Sequence, residues 1–203
     1  MKIALFGATG GTGRQVLSQG LAKGDGFHVL ARSPETLQPA TDLEVIAGDV
    51  LDQAAVDRCL TGTDAVICVL GSHGSAEPVE ADGTERIIAG MQRLGINRLV
   101  AVTSMGVGDS REQVPGFFRV IMQLTLKKIM AAKERQEQLI RESGLDWTIV
   151  RPGGLTDGPA TGSYLSGTDK SIKATRISRA DVADFVLQQL RDDRYLHQAP
   201  SLS

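Results

Sequence analysis

The sequence predicts an α/β fold, a doubly wound parallel sheet with helices on both faces, and two observations support this. Segments that are apolar throughout alternate along the chain with longer segments in which apolar residues recur at helical spacing. Strands without a polar face are typical of parallel sheets covered on both sides. Since crossovers between parallel strands are right-handed, the doubly wound arrangement connects them naturally. The 203 residues show no repeat, low-complexity tract or linker, so we expect one domain over 1–203.

The first part of the chain begins this alternation. Lys2–Phe6 is apolar and ends at Gly7, which predicts a buried strand. Helical spacing follows over Arg14–Lys23 until Gly24 stops it. The next predicted elements are strand Phe27–Ala31, strand Leu43–Ala47, helix Ala54–Leu60 and the continuously apolar strand Ala65–Leu70.

The second part of the chain continues the pattern with longer helices. The predicted elements are helix Gly83–Leu94 before Gly95, strand Arg98–Thr103, helix Ile121–Glu142 before Gly144, strand Trp147–Val150 halted by Pro152, and helix Asp181–Leu190. Met105–Arg119 and Gly153–Ile172 are predicted to be irregular. Both follow the carboxyl end of a strand, where open α/β sheets bind ligands.

The composition excludes several classes of protein. With 22 Lys and Arg against 24 Asp and Glu, the formal charge of −2 argues against a general nucleic-acid or acidic-membrane binder. Cys59 and Cys68 form no CxxC pair, which argues against a zinc ribbon or a disulfide scaffold and favours buried core thiols. No apolar run approaches the ~18 residues that span a bilayer. We expect a cytoplasmic monomer with no metal site and no membrane or nucleic-acid partner.

A glycine-rich turn, Gly7-Ala8-Thr9-Gly10-Gly11-Thr12-Gly13, joins the first predicted strand to the first predicted helix. Glycines there allow a tight turn and a close approach of the backbone to a diphosphate, whose charge is favoured at a helix N-terminus. The alternative is a purely structural strand–helix turn. The position within a repeating β–α pattern favours dinucleotide binding.

The end of the second strand indicates which dinucleotide binds. An acidic residue there would bind the ribose hydroxyls, whereas an arginine accommodates a 2′-phosphate. The sequence has Arg32 followed by Ser33 and no acid before Glu35, which favours NADP(H) over NAD(H). The alternative is that Arg32 is an ordinary surface arginine.

Two further positions fit an adenine and nicotinamide site. Asp49 follows the third strand and is expected to accept from the adenine amino group while Val50 packs on the ring; alternatively, Asp49 caps the following helix. Leu70-Gly71 ends the fourth strand, where a glycine lets the backbone approach the cofactor.

These motifs resemble a known family. GATGGTG, Arg32-Ser33, Gly48-Asp49-Val50, Thr103-Ser104 and the segment 142–159 are similar to those of atypical, NmrA-like short-chain dehydrogenases/reductases with a Rossmann-like fold. Length and motif order are most similar to the family's flavin- and biliverdin-reducing members. We expect Leu70, Gly71, Ser104 and Pro152 to frame the nicotinamide, and Thr103 and Gly153 are further candidate cofactor-binding residues.

The wider superfamily uses a Tyr-x-x-x-Lys pair, in which the Tyr gives the proton. The resemblance puts Lys133 at the Lys position, but Ile129 stands where the Tyr would be, and Ile cannot donate a proton. Lys133 is alternatively part of a solvated helix face. Ser104 remains as the predicted catalytic residue, in an orienting role; alternatively its hydroxyl bonds its own loop.

A missing proton donor suits conjugated acceptors such as FMN or biliverdin, which take a hydride while solvent supplies the proton. Such planar acceptors need an apolar slot, for which Met105, Phe117 and Leu155 are candidates; Phe117 and Phe118 alternatively pack against the core. His73 is a candidate substrate contact.

We therefore predict an NADPH-dependent reductase of flavin- or biliverdin-type acceptors. The alternative is a non-catalytic, NADP-binding redox-sensor or assembly protein of the NmrA-like type, which the missing Tyr fits equally well. A third hypothesis is a related enzyme that acts on another carbonyl, a quinone or a nucleotide sugar.

Overall fold

The computed structural model describes residues 1–72, 77–116 and 126–203. The elements in chain order are β1 (Lys2–Phe6), α1 (Gly11–Ala22), β2 (Gly26–Ala31), β3 (Leu43–Ala47), α2 (Gln53–Leu60), β4 (Ala65–Cys68), α3 (Glu80–Leu94), β5 (Arg98–Val102), α4 (Lys127–Glu142), β6 (Asp146–Pro152), β7 (Gly154–Thr156), β8 (Ser166–Gly167), β9 (Arg176–Ser178), α5 (Arg179–Gln189) and β10 (Ser201–Leu202). Short 3-10 turns lie at Pro34–Thr36 and Gly108–Gln113.

The main sheet has eight strands in the order β3-β2-β1-β4-β5-β6-β10-β8. Its neighbouring strands run parallel, except that β8 is antiparallel to β10. The chain winds outward from β1 in one direction and from β4 in the other, which confirms the predicted doubly wound fold. The carboxyl ends of β1 and β4 therefore meet at the topological switch point, where such sheets bind ligands.

Two hydrophobic cores lie on opposite faces of this sheet. In β1, Ile3 and Leu5 face the layer of α1 and α5, whereas Ala4 and Phe6 face the layer of α2, α3 and α4. Because both sets are buried, β1 is apolar at every position from Ile3 to Phe6, after the exposed Lys2. This explains why the strands could be recognised as uninterrupted apolar runs.

The predicted elements differ from the observed ones mainly at their ends. Helix α3 begins at Glu80, three residues before the predicted start, and β6 extends through Pro152. Residues 117–125 lie outside the described part of the chain, so only Lys127–Glu142 of the predicted long helix is observed. Positive φ angles at Gly95 (70°) and Gly144 (71°) follow α3 and α4, as the stop signals predicted.

The predicted irregular segment after β6 contains short strands. Strands β7 and β9 pair in parallel as a separate two-stranded sheet, and β8 joins the main sheet through β10. Strand β10, close to the C-terminus, lies beside β6 in parallel register, with Ser201 opposite Arg151. These added strands surround the carboxyl end of β6, where the second irregular segment was expected to bind ligands.

Both cysteines are free, buried thiols, as the sequence predicted. Burial raises the pKa of Cys59 to about 12, so it stays protonated at neutral pH. Within the described ranges, no helix combines the length and the apolar character needed to cross a bilayer.

Candidate functional site

The glycine-rich turn connects β1 directly to α1 at the switch point. Gly7 has φ of +92°, and a Cβ there would lie 2.5 Å from the carbonyl oxygen of Val69. A Cβ at Gly13 would lie 2.1 Å from the carbonyl oxygen of Gly7. The turn closes with the amide of Gly10 donating to that same oxygen at 3.1 Å. Side chains at these two positions would thus prevent the turn from forming.

The N-terminus of α1 is open toward a ligand. Gly10 occupies the N-cap position, where it has no side chain to cap the first amides, and the first turn of α1 carries no acidic residue. The amides and the helix dipole therefore favour an anion. Arg14 Nε donates to the carbonyl oxygen of Thr9 at 2.9 Å and stabilises the turn from outside.

A cleft of about 540 Å³ opens at this turn. It brings together nine of the residues predicted to bind the cofactor: Gly7, Thr9, Gly10, Gly11, Arg32, Asp49, Val50, Leu70 and Gly71. Thr12, Gly13, Ser33, Thr103, Pro152 and Gly153 are not among its lining residues. The first two support the turn from within α1, and the last three lie at the ends of β5 and β6.

One end of the cleft combines polar and apolar groups. Arg32 and Ser33 are exposed beyond the end of β2. Asp49 accepts from the amide of Leu51 at 2.9 Å, whereas Asp52 caps α2 through the amide of Ala54 at 2.9 Å. The alternative role of Asp49 as the cap of α2 is therefore wrong, because Asp52 performs it.

The apolar side of this end is made by two predicted residues. A Cβ at Gly83 in α3 would lie 2.9 Å from both Leu70 Cδ1 and Val50 Cγ1. Glycine in α3 thus lets these side chains meet and form one apolar surface. A flat ring such as adenine can lie against such a surface.

The segment after β4 is fixed by a carboxylate that sequence reasoning missed. Glu80 is fully buried and accepts from the amide of Ser72 at 2.9 Å and from its hydroxyl at 2.5 Å. The hydroxyl oxygen of Ser72 in turn accepts from the amide of Val79 at 3.2 Å. An acidic residue in the first turn of a helix is a recognisable signal, but the helix was predicted to start three residues later, at Gly83.

A buried ion pair lies under the ends of β5 and β6. Arg151 Nε donates to Glu137 Oε1 at 2.9 Å and its Nη2 to Oε2 at 2.5 Å, and both side chains are at most 4% exposed. Thr103 donates its hydroxyl proton to the same carboxylate at 2.8 Å. Because that proton is committed, Thr103 Oγ1 can act only as an acceptor toward a ligand above it.

Arg151 also connects this pair to the turn at Gly108–Gln113. Its Nη1 donates to Asp109 Oδ1 at 2.7 Å. Partial burial opposes ionisation of Asp109, but the hydrogen bond and charge of Arg151 outweigh it and lower the pKa of that carboxyl. Arg151 thus joins the carboxylate of helix α4 to a carboxylate on this turn.

Lys133 is half-buried, and the buried carboxylates of Glu80 and Glu137 are close enough for their charges to act on its ammonium group. Burial lowers the pKa of its ammonium group, while the nearby charges of Glu80 and Glu137 act in the opposite direction. The next two residues of the helix, Glu134 and Arg135, are exposed. Glu134 pairs with Arg111, and Arg135 pairs with Asp82.

The predicted catalytic residue, Ser104, and the residues predicted to line the acceptor slot differ in how exposed they are. Ser104 is half-buried and donates to the carbonyl oxygen of Met105 at 3.0 Å, which leaves its oxygen able to accept a hydrogen bond. Met105 is only 2% exposed because its amide pairs with Pro152 at 3.0 Å and extends the β5–β6 pairing. It therefore belongs to the core and does not line an open slot. Leu155 is 38% exposed.

Three further residues that were predicted as candidates lie outside the described part of the chain. They are His73, Phe117 and Phe118.

Gly153 packs closely against the backbone of Thr175, since a Cβ at Gly153 would lie 2.4 Å from the carbonyl oxygen of Thr175. The backbone of β7 is thereby held against the segment that leads into β9.

Comparison with known proteins agrees with this geometry. The sequence profile of a family described as NAD(P)H-binding matches residues 7–193. An uncharacterised chloroplastic protein of Arabidopsis thaliana is 30% identical over 93% of this chain and 71% of its own length. A (4-alkanoyl-5-oxo-2,5-dihydrofuran-3-yl)methyl phosphate reductase of Streptomyces griseus is 35% identical over 74% of this chain, but the match spans only 46% of that protein.

Solved structures give the same result. The anaerobillin reductase ChuY of Escherichia coli O157:H7 superposes with a TM-score of 0.83 and 26% identity, over 100% of this chain and 96% of that one. A short-chain dehydrogenase/reductase of Veillonella parvula, solved in complex with NADP, has a TM-score of 0.83 at 18% identity, over 100% and 94%. The motifs, the cleft and these matches agree, and the chain belongs to the NAD(P)H-binding family and has its Rossmann-like fold.

Proposed function

We propose that this protein is an NADPH-dependent reductase that transfers a hydride to a planar, conjugated acceptor of the flavin or bilin type. The observation that carries the proposal is the combination of a dinucleotide cleft with Ile129 at the position of the family's proton donor. An enzyme without that donor is suited to acceptors that need only a hydride from the protein-bound cofactor. Two of the relatives with a named activity are reductases.

The reaction balances without a protein acid. The cofactor supplies a hydride, which is two electrons and one proton, to a carbon of a bilin or to a ring nitrogen of a flavin, and leaves as NADP⁺. Solvent supplies the second proton to the reduced acceptor. The protein's contribution is then to orient the nicotinamide against the acceptor and to exclude competing geometries.

Different groups of residues bind the diphosphate, the 2′-phosphate and the adenine of the cofactor. The backbone of Gly7–Gly13, with the side chains of Thr9 and Thr12, holds the diphosphate, and Arg32 with Ser33 holds the 2′-phosphate. Asp49, Val50 and Leu70 take the adenine, as the polar and apolar sides of that end of the cleft support.

The nicotinamide lies on the other side of the switch point. Gly71, Thr103, Pro152 and Gly153 frame it. Thr103 accepts from the nicotinamide amide group, because Glu137 takes its own hydroxyl proton. Ser104 orients the nicotinamide or the acceptor, and Leu155 with Phe117 contacts the acceptor.

The test is NADPH oxidation by the purified protein, followed at 340 nm with FMN or biliverdin as acceptor and with NADH in parallel. We expect turnover that prefers NADPH, and we expect Arg32→Met to remove most of that preference by weakening NADPH about tenfold or more. Arg93→Met is the matched control, because Arg93 forms an exposed ion pair with Asp57 between α2 and α3. Tight NADPH binding without turnover on either acceptor would contradict the proposal and favour the non-catalytic alternative.

A further inference from the structure

The side chain of Arg179 lies against the first residue of α1. A Cβ at Gly11 would lie 2.6 Å from Arg179 Cδ, 2.7 Å from its Nε and 3.4 Å from its Cζ. Arg179 is the first residue of α5, which comes late in the chain, so no local sequence signal connects it with the glycine-rich turn. Gly11 therefore leaves room for a guanidinium beside the open amides of α1.

The backbone of Arg179 is held firmly in this position. Ser178 caps α5 by accepting from the amide of Asp181 at 2.9 Å. Gln19 of α1 donates to the carbonyl oxygen of Ala180 at 2.9 Å, which ties the start of α5 to α1. The packing of these two helices fixes where the arginine side chain begins.

The guanidinium itself is oriented by one exposed carboxylate. Arg179 Nη1 donates to Asp157 Oδ1 at 2.6 Å, and the two side chains are 22% and 86% exposed. A guanidinium has five N–H donors, and this bond uses one of them. The group can therefore bind a second anion on the side of the turn without losing Asp157.

The residues that line the cleft carry less positive charge than a bound dinucleotide diphosphate would need for neutralisation. Among the described residues that line the cleft, Arg32 is the only cation. Arg32 lies beyond the end of β2, where a 2′-phosphate is expected. The diphosphate of a dinucleotide carries about two negative charges, and helix amides alone supply only about half a unit of positive charge. Arg179 is not itself among the lining residues, but its guanidinium lies against Gly11, which lines the cleft at the glycine-rich turn.

We propose that Arg179 is a diphosphate-binding residue of the dinucleotide site. The guanidinium of Arg179 donates to the diphosphate that is bound at the amides of Gly10 and Gly11. It is positioned by α5 and by its hydrogen bond to Asp157. Because NADPH and NADH share this diphosphate, Arg179 contributes equally to both. Arg32, in contrast, distinguishes them through the 2′-phosphate.

The experiment is a direct binding measurement without any acceptor, so its outcome does not depend on which acceptor the enzyme reduces. Dissociation constants for NADPH, NADH and ADP-ribose are measured by calorimetry for the wild type, Arg179→Met and the control Arg93→Met. ADP-ribose contains the diphosphate but not the nicotinamide. We expect Arg179→Met to weaken all three ligands by the same factor, about tenfold or more, since a hydrogen bond between charged groups is lost.

Any other pattern among the three dissociation constants would overturn the proposal. Unchanged affinities in Arg179→Met would remove Arg179 from the site. Loss for NADPH alone would make it a 2′-phosphate residue, and loss for NADPH and NADH but not ADP-ribose would put it at the nicotinamide. Arg179→Lys keeps the charge, so we expect it to retain part of the affinity; circular dichroism and thermal unfolding of each variant identify any that is misfolded.

A second measurement tests the contact with Gly11 and stays informative if one variant binds too weakly. Gly11→Ala pushes the guanidinium aside, so we expect it to weaken NADH binding in the wild type. In the Arg179→Ala background the same change has no guanidinium to displace, and we expect little further loss. Equal losses in both backgrounds would show that the two residues act independently and would contradict the inference.

Discussion

Replacing Glu137 by glutamine tests whether the buried ion pair under β5 and β6 stabilises the domain. The carboxylate accepts two hydrogen bonds from Arg151, one from Thr103 and a longer one of 3.5 Å from Arg141, and it is 4% exposed. Glutamine keeps the shape but loses the charge, and its amide NH₂ group cannot accept from the guanidinium. Arg151 then keeps one neutral hydrogen bond to the amide oxygen and its ion pair with Asp109, whose side chain is 63% exposed.

The expected loss of stability follows from this geometry. Removing one partner of a buried ion pair costs about 3–5 kcal/mol, because the other charge stays buried without compensation. The remaining contact of Arg151 with Asp109 puts Glu137→Gln at the lower end, about 3 kcal/mol. In a domain of this size that corresponds to a fall in Tm of roughly 6–12 °C.

Urea unfolding followed by circular dichroism measures the difference in the free energy of unfolding. The exposed pair of Asp57 and Arg93 provides the control, and we expect Asp57→Asn to cost less than about 1 kcal/mol. In the double variant Glu137→Leu/Arg151→Met both charges are gone, and we expect most of the stability to return. If Glu137→Gln costs no more than Asp57→Asn, the buried pair is not a major stabilising element and the reasoning is refuted.

Two further predictions concern single hydroxyl and carboxyl groups. We expect Ser104→Ala to lower kcat about 10- to 100-fold in the NADPH oxidation assay while NADPH affinity stays nearly constant; unchanged turnover would remove Ser104 from the mechanism. Burial opposes ionisation of Asp181, but hydrogen bonds from Gly162, Ser178 and Thr161 outweigh it and lower its pKa. The stability that this carboxylate provides is therefore present above its unfolded pKa of about 3.9 and is lost as the pH falls through the lower folded value. We expect Asp181→Asn to cost about 2 kcal/mol at pH 7 and to flatten the fall of the urea midpoint as the pH drops below about 4; an equally steep fall would contradict this origin.

The parts of the fold that could be predicted are those with local signals. The apolar strands, the glycine stops and the turn Gly7–Gly13 each leave a pattern within a few neighbouring residues. The two-residue strands β8 and β10 leave none, because periodicity needs several residues to be visible. Their positions are determined by pairing with distant segments, such as Ser201 beside Arg151.

The same distinction explains what was missed in the site. Glu137 and Arg151 are 14 residues apart and Thr103 and Glu137 are 34 apart, so their contact depends on how α4 packs on β5 and β6. Arg179 and Gly11 come from opposite ends of the chain. Met105 was assigned to the acceptor slot from its place after β5, but a hydrogen bond to Pro152 carries the chain further along β6 and turns its side chain into the core.

The most direct test of the account is the fate of the transferred hydrogen. The protein is given biliverdin and NADPH that carries deuterium at both positions of nicotinamide C4, in ordinary water, and the reduced tetrapyrrole is analysed by mass spectrometry. If the site transfers a hydride, we expect one carbon-bound deuterium per product molecule, with the second hydrogen coming from solvent. A product without carbon-bound deuterium, or the absence of any reduced product with biliverdin and with FMN alike, would contradict hydride transfer as the function of this site.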